Sequence, residues 1–109
     1  MRDIGRVGRL ILTGLAKGPV HGYGLIRWIE DTTSPPKRVA VGTMYTALDR
    51  LERDGLVVVH SEDVVDGRVR RSYELTDDGR SALLASVESL RQEITTALEV
   101  LGGLDGATS

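Results

Sequence analysis

Hydrophobic residues near the start of the chain recur at the spacing of an amphipathic helix. Residues 4–17 carry apolar side chains at steps of three and four, which place them on one helix face. These side chains are Ile4, Val7, Ile11 and Leu15. Gly18 and Pro19 follow as a helix stop, so we predict a first helix over residues 4–17.

A second helix is predicted after the turn formed by residues 19–22. Its apolar positions cover a wide part of the helix surface, which predicts deep burial. These positions are Tyr23, Leu25, Ile26, Trp28 and Ile29. The polar and proline-containing stretch 31–36 ends the helix, because a proline disfavours helical backbone in the residue before it.

A third predicted helix runs from about Gly42 to Asp54 and ends at Gly55, a residue suited to a left-handed cap. Its two sides differ in chemistry. The apolar side consists of Met44, Ala47, Leu48 and Leu51. The polar side consists of Thr43, Thr46, Arg50 and Arg53. The apolar side is expected to pack inward, and the polar side is either a solvated surface or a surface for a partner.

From Leu56 onward the pattern changes to that of strands. A run of β-branched residues extends toward Val65, and Asp66-Gly67 is a strong signal for a two-residue hairpin turn, because both turn positions need a positive φ. Residues 68–75 then alternate between two sets of side chains. We predict a β-hairpin that carries Arg68 and Arg70 near its tip.

Thr76 marks the predicted start of the last helix, because its hydroxyl can cap the helix and Asp77 and Asp78 suit the positive end of the dipole. Apolar residues then recur at alternating steps of four and three, the a/d spacing of a coiled coil. They are Leu83, Val87, Leu90, Ile94, Ala97 and Leu101. This seam packs either on its own domain or against another helix, and residues 102–109 are expected to form a flexible tail.

Three helices followed by a hairpin define a winged helix-turn-helix. The predicted fold class is therefore α+β, mainly α with a small β-hairpin: a winged helix-turn-helix with an added C-terminal helix. In this fold the third helix enters the major groove of DNA, and the hairpin, called the wing, reaches the backbone or the minor groove.

The formal net charge of −2 is unusual for a protein that binds nucleic acid, so its distribution matters. Residues 1–75 hold twelve Lys/Arg and ten Asp/Glu, whereas residues 76–109 hold two and six. The acidic excess therefore lies in the last helix and tail. Charge does not exclude DNA binding by the first part, and it does not by itself indicate it.

Several classes of site have no signature in the sequence. The chain has no cysteine, and neither His21 nor His60 has acidic partners at ligand spacing, so no metal site is expected. No nucleophile elbow, phosphate loop or dinucleotide fingerprint is present, so we predict neither an enzyme nor a cofactor. Without a membrane-length apolar run or a signal peptide, a cytoplasmic protein with no membrane contact is expected.

Three motifs, in the same order along the chain, resemble those of PadR-family transcriptional regulators. The first is Leu12–Leu15 with Gly18–Tyr23. The second is GTMYTALDRLE over residues 42–52 with DGLV over 54–57, and the third is RRSYELT over 70–76 with DGR over 78–80. The resemblance covers roughly residues 9–101 and corresponds to a short form with one C-terminal helix.

The resemblance implies a homodimer that binds a pseudo-palindromic operator in double-stranded DNA, usually as a repressor released by a small molecule. Residues 1–75 would form the DNA-binding winged-helix domain. Residues 76–101 would form the dimerisation helix, joined through the seam from Leu83 to Leu101, and residues 102–109 the tail.

The resemblance also implies roles for individual residues. Thr43, Tyr45 and Thr46 match the start of the family's recognition helix, where hydroxyls donate to phosphates, although Tyr45 could equally be a half-buried core residue. Arg50 reaches either a base or a phosphate. Lys37 and Arg38 would add charge along the backbone, and Arg68 and Arg70 would serve the wing. Arg71 is in phase with Tyr73 and is expected to pack or pair internally.

The chain departs from some short relatives in having its one tryptophan, Trp28, outside the terminal helix. A drug-binding pore that uses an aromatic residue of that helix is therefore not expected, and the effector hypothesis is a small hydrophobic molecule between the subunits near Leu90, Ile94 and Leu98. Two other functions stay open at this point. One is a protein-interaction module without specific DNA binding, which the acidic charge favours, and the other is a small-molecule sensor without a DNA role.

Overall fold

The structure is a computed structural model that describes residues 3–34 and 38–108 of the 109-residue chain. The predicted order of three helices, a hairpin and a final helix is confirmed. The helices are α1 (Gly5–Leu15), α2 (Gly22–Thr32), α3 (Val41–Arg53) and α4 (Asp77–Thr108). The strands are β1 (Val20–His21), β2 (Val57–Val65) and β3 (Arg68–Leu75).

The sheet has a third strand that the sequence pattern did not predict. Residues 19–22 were expected to form only a turn, but β1 pairs antiparallel with β3, with Val20 opposite Tyr73 and His21 opposite Ser72. A strand of two residues is too short to show a period along the sequence, so only the pairing reveals it. The strand order β1-β3-β2 places β3 in the centre of the sheet.

The wing is the hairpin of β2 and β3, and its turn has the predicted geometry. Asp66 and Gly67 have φ values of 51° and 76°, and Val65 pairs with Arg68 across them. The register shifts between Val59 and Ser61, so one extra residue bulges out of β2. Residues 62–71 are all exposed, so the outer part of the wing lies beyond the part of the sheet that covers the core.

The core lies where the three N-terminal helices meet the base of the sheet. Its fully buried side chains are Ile11, Leu12, Leu15, Leu25, Ile29, Met44, Leu48, Val57 and Tyr73. Tyr23, which the pattern placed among the buried residues of the second helix, is 63% exposed instead. It lies two residues before Leu25, about 200° around the helix, and therefore points away from the core.

Thr76 starts α4 as predicted. Its hydroxyl accepts a hydrogen bond from the amide of Gly79 at 2.9 Å and donates one to the carbonyl of Gly55 at 2.7 Å. Gly79 packs so closely on Leu56 that a side chain there would overlap the Leu56 carbonyl. The end of α3 and the start of α4 are thus held together.

The first half of helix α4 packs on the other elements, and its second half extends away from them. Ala82 is buried and Leu83 and Leu90 are half-buried, but residues 91–103 are exposed. The radius of gyration is 17.1 Å, against about 13 Å for a compact domain of this size. The helix continues to Thr108, past the predicted end of the dimerisation helix at residue 101. The flexibility of residues 102–109 stays a prediction.

Candidate nucleic-acid interface

Helix α3 presents the two chemically different sides that its sequence predicts. Met44 and Leu48 are fully buried and Leu51 is 4% exposed. The residues on the opposite side are all exposed: Thr43, Thr46, Arg50 and Arg53. Burial of one side by three core residues fixes which hydroxyl and guanidinium groups α3 offers to a partner.

Tyr45 lies between these two sides and joins α3 to α2. Its ring is half-buried and packs against the core. A Cβ atom built on Gly22 would lie 2.6 Å from the Tyr45 hydroxyl oxygen, so the hydroxyl sits directly over the first turn of α2. The half-buried packing expected for Tyr45 is observed, and a phosphate contact by its hydroxyl stays a prediction.

The segment before α3 contributes one described basic residue. Arg38 is exposed, and the neighbouring Val39 is 7% exposed and belongs to the core. Because Val39 anchors the backbone, Arg38 stands at a fixed place beside the start of α3. Lys37, the other basic residue predicted here, lies outside the described residues.

The three arginines of the wing differ in whether they form an ion pair within the chain. Nε of Arg71 donates to Oε1 of Glu62 at 2.7 Å, as the predicted internal pairing requires, and this carboxylate raises the pKa of Arg71. Arg68 and Arg70 are exposed and, among the residues that the structure describes, form no ion pair. They lie two residues apart on one strand, so both are on the same face of the wing.

The base of the wing is braced by side chains that the sequence did not single out. His60 Nδ1 lies 3.0 Å from Oε2 of Glu74, and the hydroxyls of Ser61 and Ser72 are 2.7 Å apart. His60 is the extra residue of the bulge and Ser61 follows it, so both pairs cross from β2 to β3 at the bulge. They hold the direction of the wing where it leaves the core.

Tyr23 is a candidate contact residue that the sequence reasoning missed. It is exposed in the first turn of α2, next to Gly22, over which the hydroxyl of Tyr45 lies. The side chain of Tyr23 and the hydroxyl of Tyr45 thus both lie at the start of α2. The signal available in the sequence was the position of Tyr23, half a helical turn away from the apolar side of α2.

The predicted seam of α4 changes environment along the helix. Leu83 and Leu90 are half-buried, whereas Val87, Ile94 and Leu101 are 46%, 52% and 57% exposed, and Ala97 is exposed as well. Packing of the seam on its own domain, one of the two predicted alternatives, therefore explains the burial of only the first half of the seam. Leu84 and Leu98 widen the apolar surface, at 65% and 64% exposure.

Within residues 3–34 and 38–108, no group of His, Asp or Glu side chains is arranged to hold a metal ion. No described helix is both long and apolar enough to cross a membrane.

An exposed polar face on the third helix, a basic pair on the wing and the α1-α2-α3-hairpin order define a winged helix-turn-helix protein. Residues 11–85 match the model of the transcriptional regulator PadR-like family. The chain is 43% identical over 93 residues to the transcriptional regulator Rv3488 of Mycobacterium tuberculosis, covering 85% of this chain and 80% of the relative. The chain belongs to the PadR-like family, a family of transcriptional regulators and not of enzymes.

Solved structures agree with this assignment. A PadR family transcription regulator from Clostridium difficile R20291 superposes with a TM-score of 0.72 at 26% identity, covering 89% of this chain and 98% of that one. The Bacillus subtilis PadR, solved in complex with operator DNA, has a TM-score of 0.65 at 22% identity. It shares the fold over 72% of this chain and 46% of its own length.

Proposed function

We infer that this transcriptional regulator acts as a homodimer that binds a pseudo-palindromic operator and represses transcription. The observation that carries the proposal is the exposed polar face of α3, where Thr43, Thr46 and Arg50 stand opposite the side of the helix that packs in the core. Such a helix fits the major groove, which is wide enough to admit it. The operator-bound Bacillus subtilis PadR supports the same use of the fold.

The contacts divide into two kinds. Arg38, Arg68 and Arg70 are exposed cations at the start of α3 and on the wing, and they suit phosphates, which set affinity and its salt dependence. Arg50 lies in the last turns of α3, where it reaches either a guanine edge or a phosphate. Lys37 is expected to add a further phosphate contact.

The dimer would form through α4. Val87, Ile94 and Leu101 leave an exposed apolar stripe along α4, and a helix with such a stripe is stabilised by burying it against another helix. Two copies related by a twofold axis would place their recognition helices about 34 Å apart, in successive major grooves.

Release of repression is proposed to follow from a small hydrophobic effector that binds between the subunits near Leu90, Ile94 and Leu98. A ligand shifts the equilibrium only if it binds better to a dimer in which the recognition helices no longer match the grooves. Calorimetry with a panel of flat hydrophobic compounds tests this part, and absence of heat from all of them would count against it.

A binding titration tests the DNA part. The purified protein is titrated against the DNA upstream of its own gene at two salt concentrations, with random duplex as competitor. Tight, salt-sensitive binding that resists the competitor is the expected result. Weak binding that the random duplex abolishes at every promoter tested would instead favour a protein-interaction module, consistent with the net charge of −2.

A further inference from the structure

The outer part of the wing carries two exposed valines that the proposed phosphate contacts do not use. Val64 is 74% exposed and Val69 is 64% exposed. They lie directly opposite each other across the hairpin, so their side chains are on one face and form a single apolar patch, the valine pair. Edge strands usually carry charged side chains that prevent association. An apolar patch at the end of the wing therefore favours a function in binding.

The valine pair lies on the face of the wing that continues the core side of the sheet. Side chains alternate between the two faces of a strand, so Val69 is on the same face as Arg71 and Tyr73. Tyr73 belongs to the same buried cluster as Met44 and Leu48 of α3. The valine pair is thus on the side of the sheet on which the recognition helix lies.

The two faces of the wing differ in charge. Arg68 and Arg70, the proposed phosphate contacts, lie on the face opposite the valine pair. On the face of the valine pair, the next cross-strand pair is Glu62 and Arg71, which neutralise each other at 2.7 Å. One face therefore offers charge to phosphates, and the other offers apolar contact beside a neutral ion pair.

We propose that the valine pair enters the minor groove that flanks each half-site of the operator, so that affinity depends on how easily this groove widens. This inference rests on the proposed function. Deoxyribose carbons form the walls of the minor groove and phosphates line its rim, and proteins that bind there often insert apolar side chains. A hairpin in the groove would place its arginine face on one DNA strand and the valine pair against the sugars of the other.

The thickness of the wing determines the direction of the selectivity. The minor groove of B-DNA is about 6 Å wide, whereas packed sheets are spaced about 10 Å apart, which is the thickness of a sheet with its side chains. The groove must therefore widen to admit the valine pair. TA steps deform easily, but A-tracts are stiff and have a narrow groove. A wing that inserted only an arginine side chain would instead favour the A-tract, because its narrow groove attracts cations.

Substitution by threonine separates apolar contact from strand propensity. Threonine is β-branched like valine and also favours strands, but it carries a hydroxyl in place of one methyl. Val64→Thr/Val69→Thr therefore keeps the hairpin and weakens its apolar contact. Val65→Thr is the matched control, because Val65 is 38% exposed next to Val64 but lies on the arginine face. Both variants should unfold at the urea concentration of the wild type, because all three side chains are exposed.

The test compares two operator duplexes that differ only in their flanks. One carries TATA and the other AAAA on both sides of each half-site, so their base composition and charge are equal. The wild type should bind the TATA-flanked duplex more tightly in fluorescence anisotropy. Val64→Thr/Val69→Thr should lose at least about fourfold in affinity for this duplex, the equivalent of one buried methyl group, and should no longer prefer it. Val65→Thr should keep the wild-type preference.

The outcomes separate this inference from the proposed function. Equal or tighter binding of the wild type to the AAAA-flanked duplex would show that the valine pair does not enter the groove. A double variant that kept the preference for TATA would show the same. An equal loss in Val65→Thr would overturn the assignment to the core-side face. Absence of competitor-resistant binding of the wild type to either duplex would overturn the proposed operator binding, and this inference with it.

Discussion

Replacement of Arg68 by alanine isolates the contribution of the wing to DNA binding. Arg68 is exposed beside the hairpin turn, pairs in register with Val65 and has no ion-pair partner among the described residues. Its charge is therefore available to a phosphate. Because a phosphate contact carries no sequence information, the proposed contact predicts that Arg68→Ala weakens binding to the operator and to random duplex alike.

The size of the effect follows from counterion release. Each phosphate contact contributes about 0.9 to the steepness of log affinity against log salt, and the proposed dimer would lose two contacts, so the steepness should decrease by about 1.8. Between about 50 and 200 mM salt, a fourfold change, the advantage of the wild type over the variant should therefore shrink about tenfold. Fluorescence anisotropy of a labelled operator over a salt series measures this directly.

The control keeps the net charge of the wing constant. Glu62→Gln/Arg71→Gln removes a pair whose charges already neutralise each other at 2.7 Å, so its salt dependence should parallel that of the wild type. If Arg68→Ala gave the unaltered slope, Arg68 would not contact phosphate. If instead the double variant gave the flatter slope, Arg71 would be the contact residue and the division of roles on the wing would be wrong.

Three further predictions concern folding and are measured by urea unfolding. Gly79→Ala should destabilise the fold by about 2 kcal/mol or more, because the added methyl overlaps the Leu56 carbonyl. Gly102→Ala is the control: it has open space around it and should be neutral or stabilising by about 0.5 kcal/mol. Equal effects of the two substitutions would refute the close approach of Gly79 to Leu56. Thr76→Ala should lower the free energy of unfolding by about 1 kcal/mol, because the helix cap is lost. An unchanged unfolding midpoint would show that this cap does not stabilise the fold. Burial raises the pKa of the Tyr73 hydroxyl, so ionisation above about pH 10 favours the unfolded chain, and the free energy of unfolding should fall there. Tyr73→Phe should reduce this fall, and an unchanged pH profile in the variant would show that Tyr73 does not cause it.

Elements with a clear period or turn chemistry could be predicted from the sequence. The two sides of α3 follow from apolar residues at helical spacing, and the wing turn follows from Asp66-Gly67, whose φ values of 51° and 76° are those that the residue pair tolerates. The start of α4 follows from Thr76. In each case the information lies within a few neighbouring residues.

Features that depend on distant residues could not be predicted. The short strand β1 forms because Val20 and His21 pair with the edge of β3. The identities of these two residues alone do not indicate a strand. The hydroxyl of Tyr45 lies over Gly22 only because α2 and α3 cross there. The seam of α4 could be recognised as apolar, but the point after Leu90 where it leaves its own domain depends on the elements packed against α4, α1 among them, and not on any local signal.

The hydrogen bonds of Thr76 have a mechanical consequence. By joining the end of α3 to the start of α4, they couple the helix-turn-helix part of the chain to α4, so in the proposed dimer the two would turn together as one rigid arm. The arm from Asp77 to Leu90 is about 20 Å long, so a rotation of about 10° at the centre displaces the far end by about 3.5 Å. That distance is close to the rise of one base pair, about 3.4 Å. In the proposed dimer, a ligand that altered only the crossing angle of the two α4 helices would thus shift each recognition helix by about one base pair along the operator.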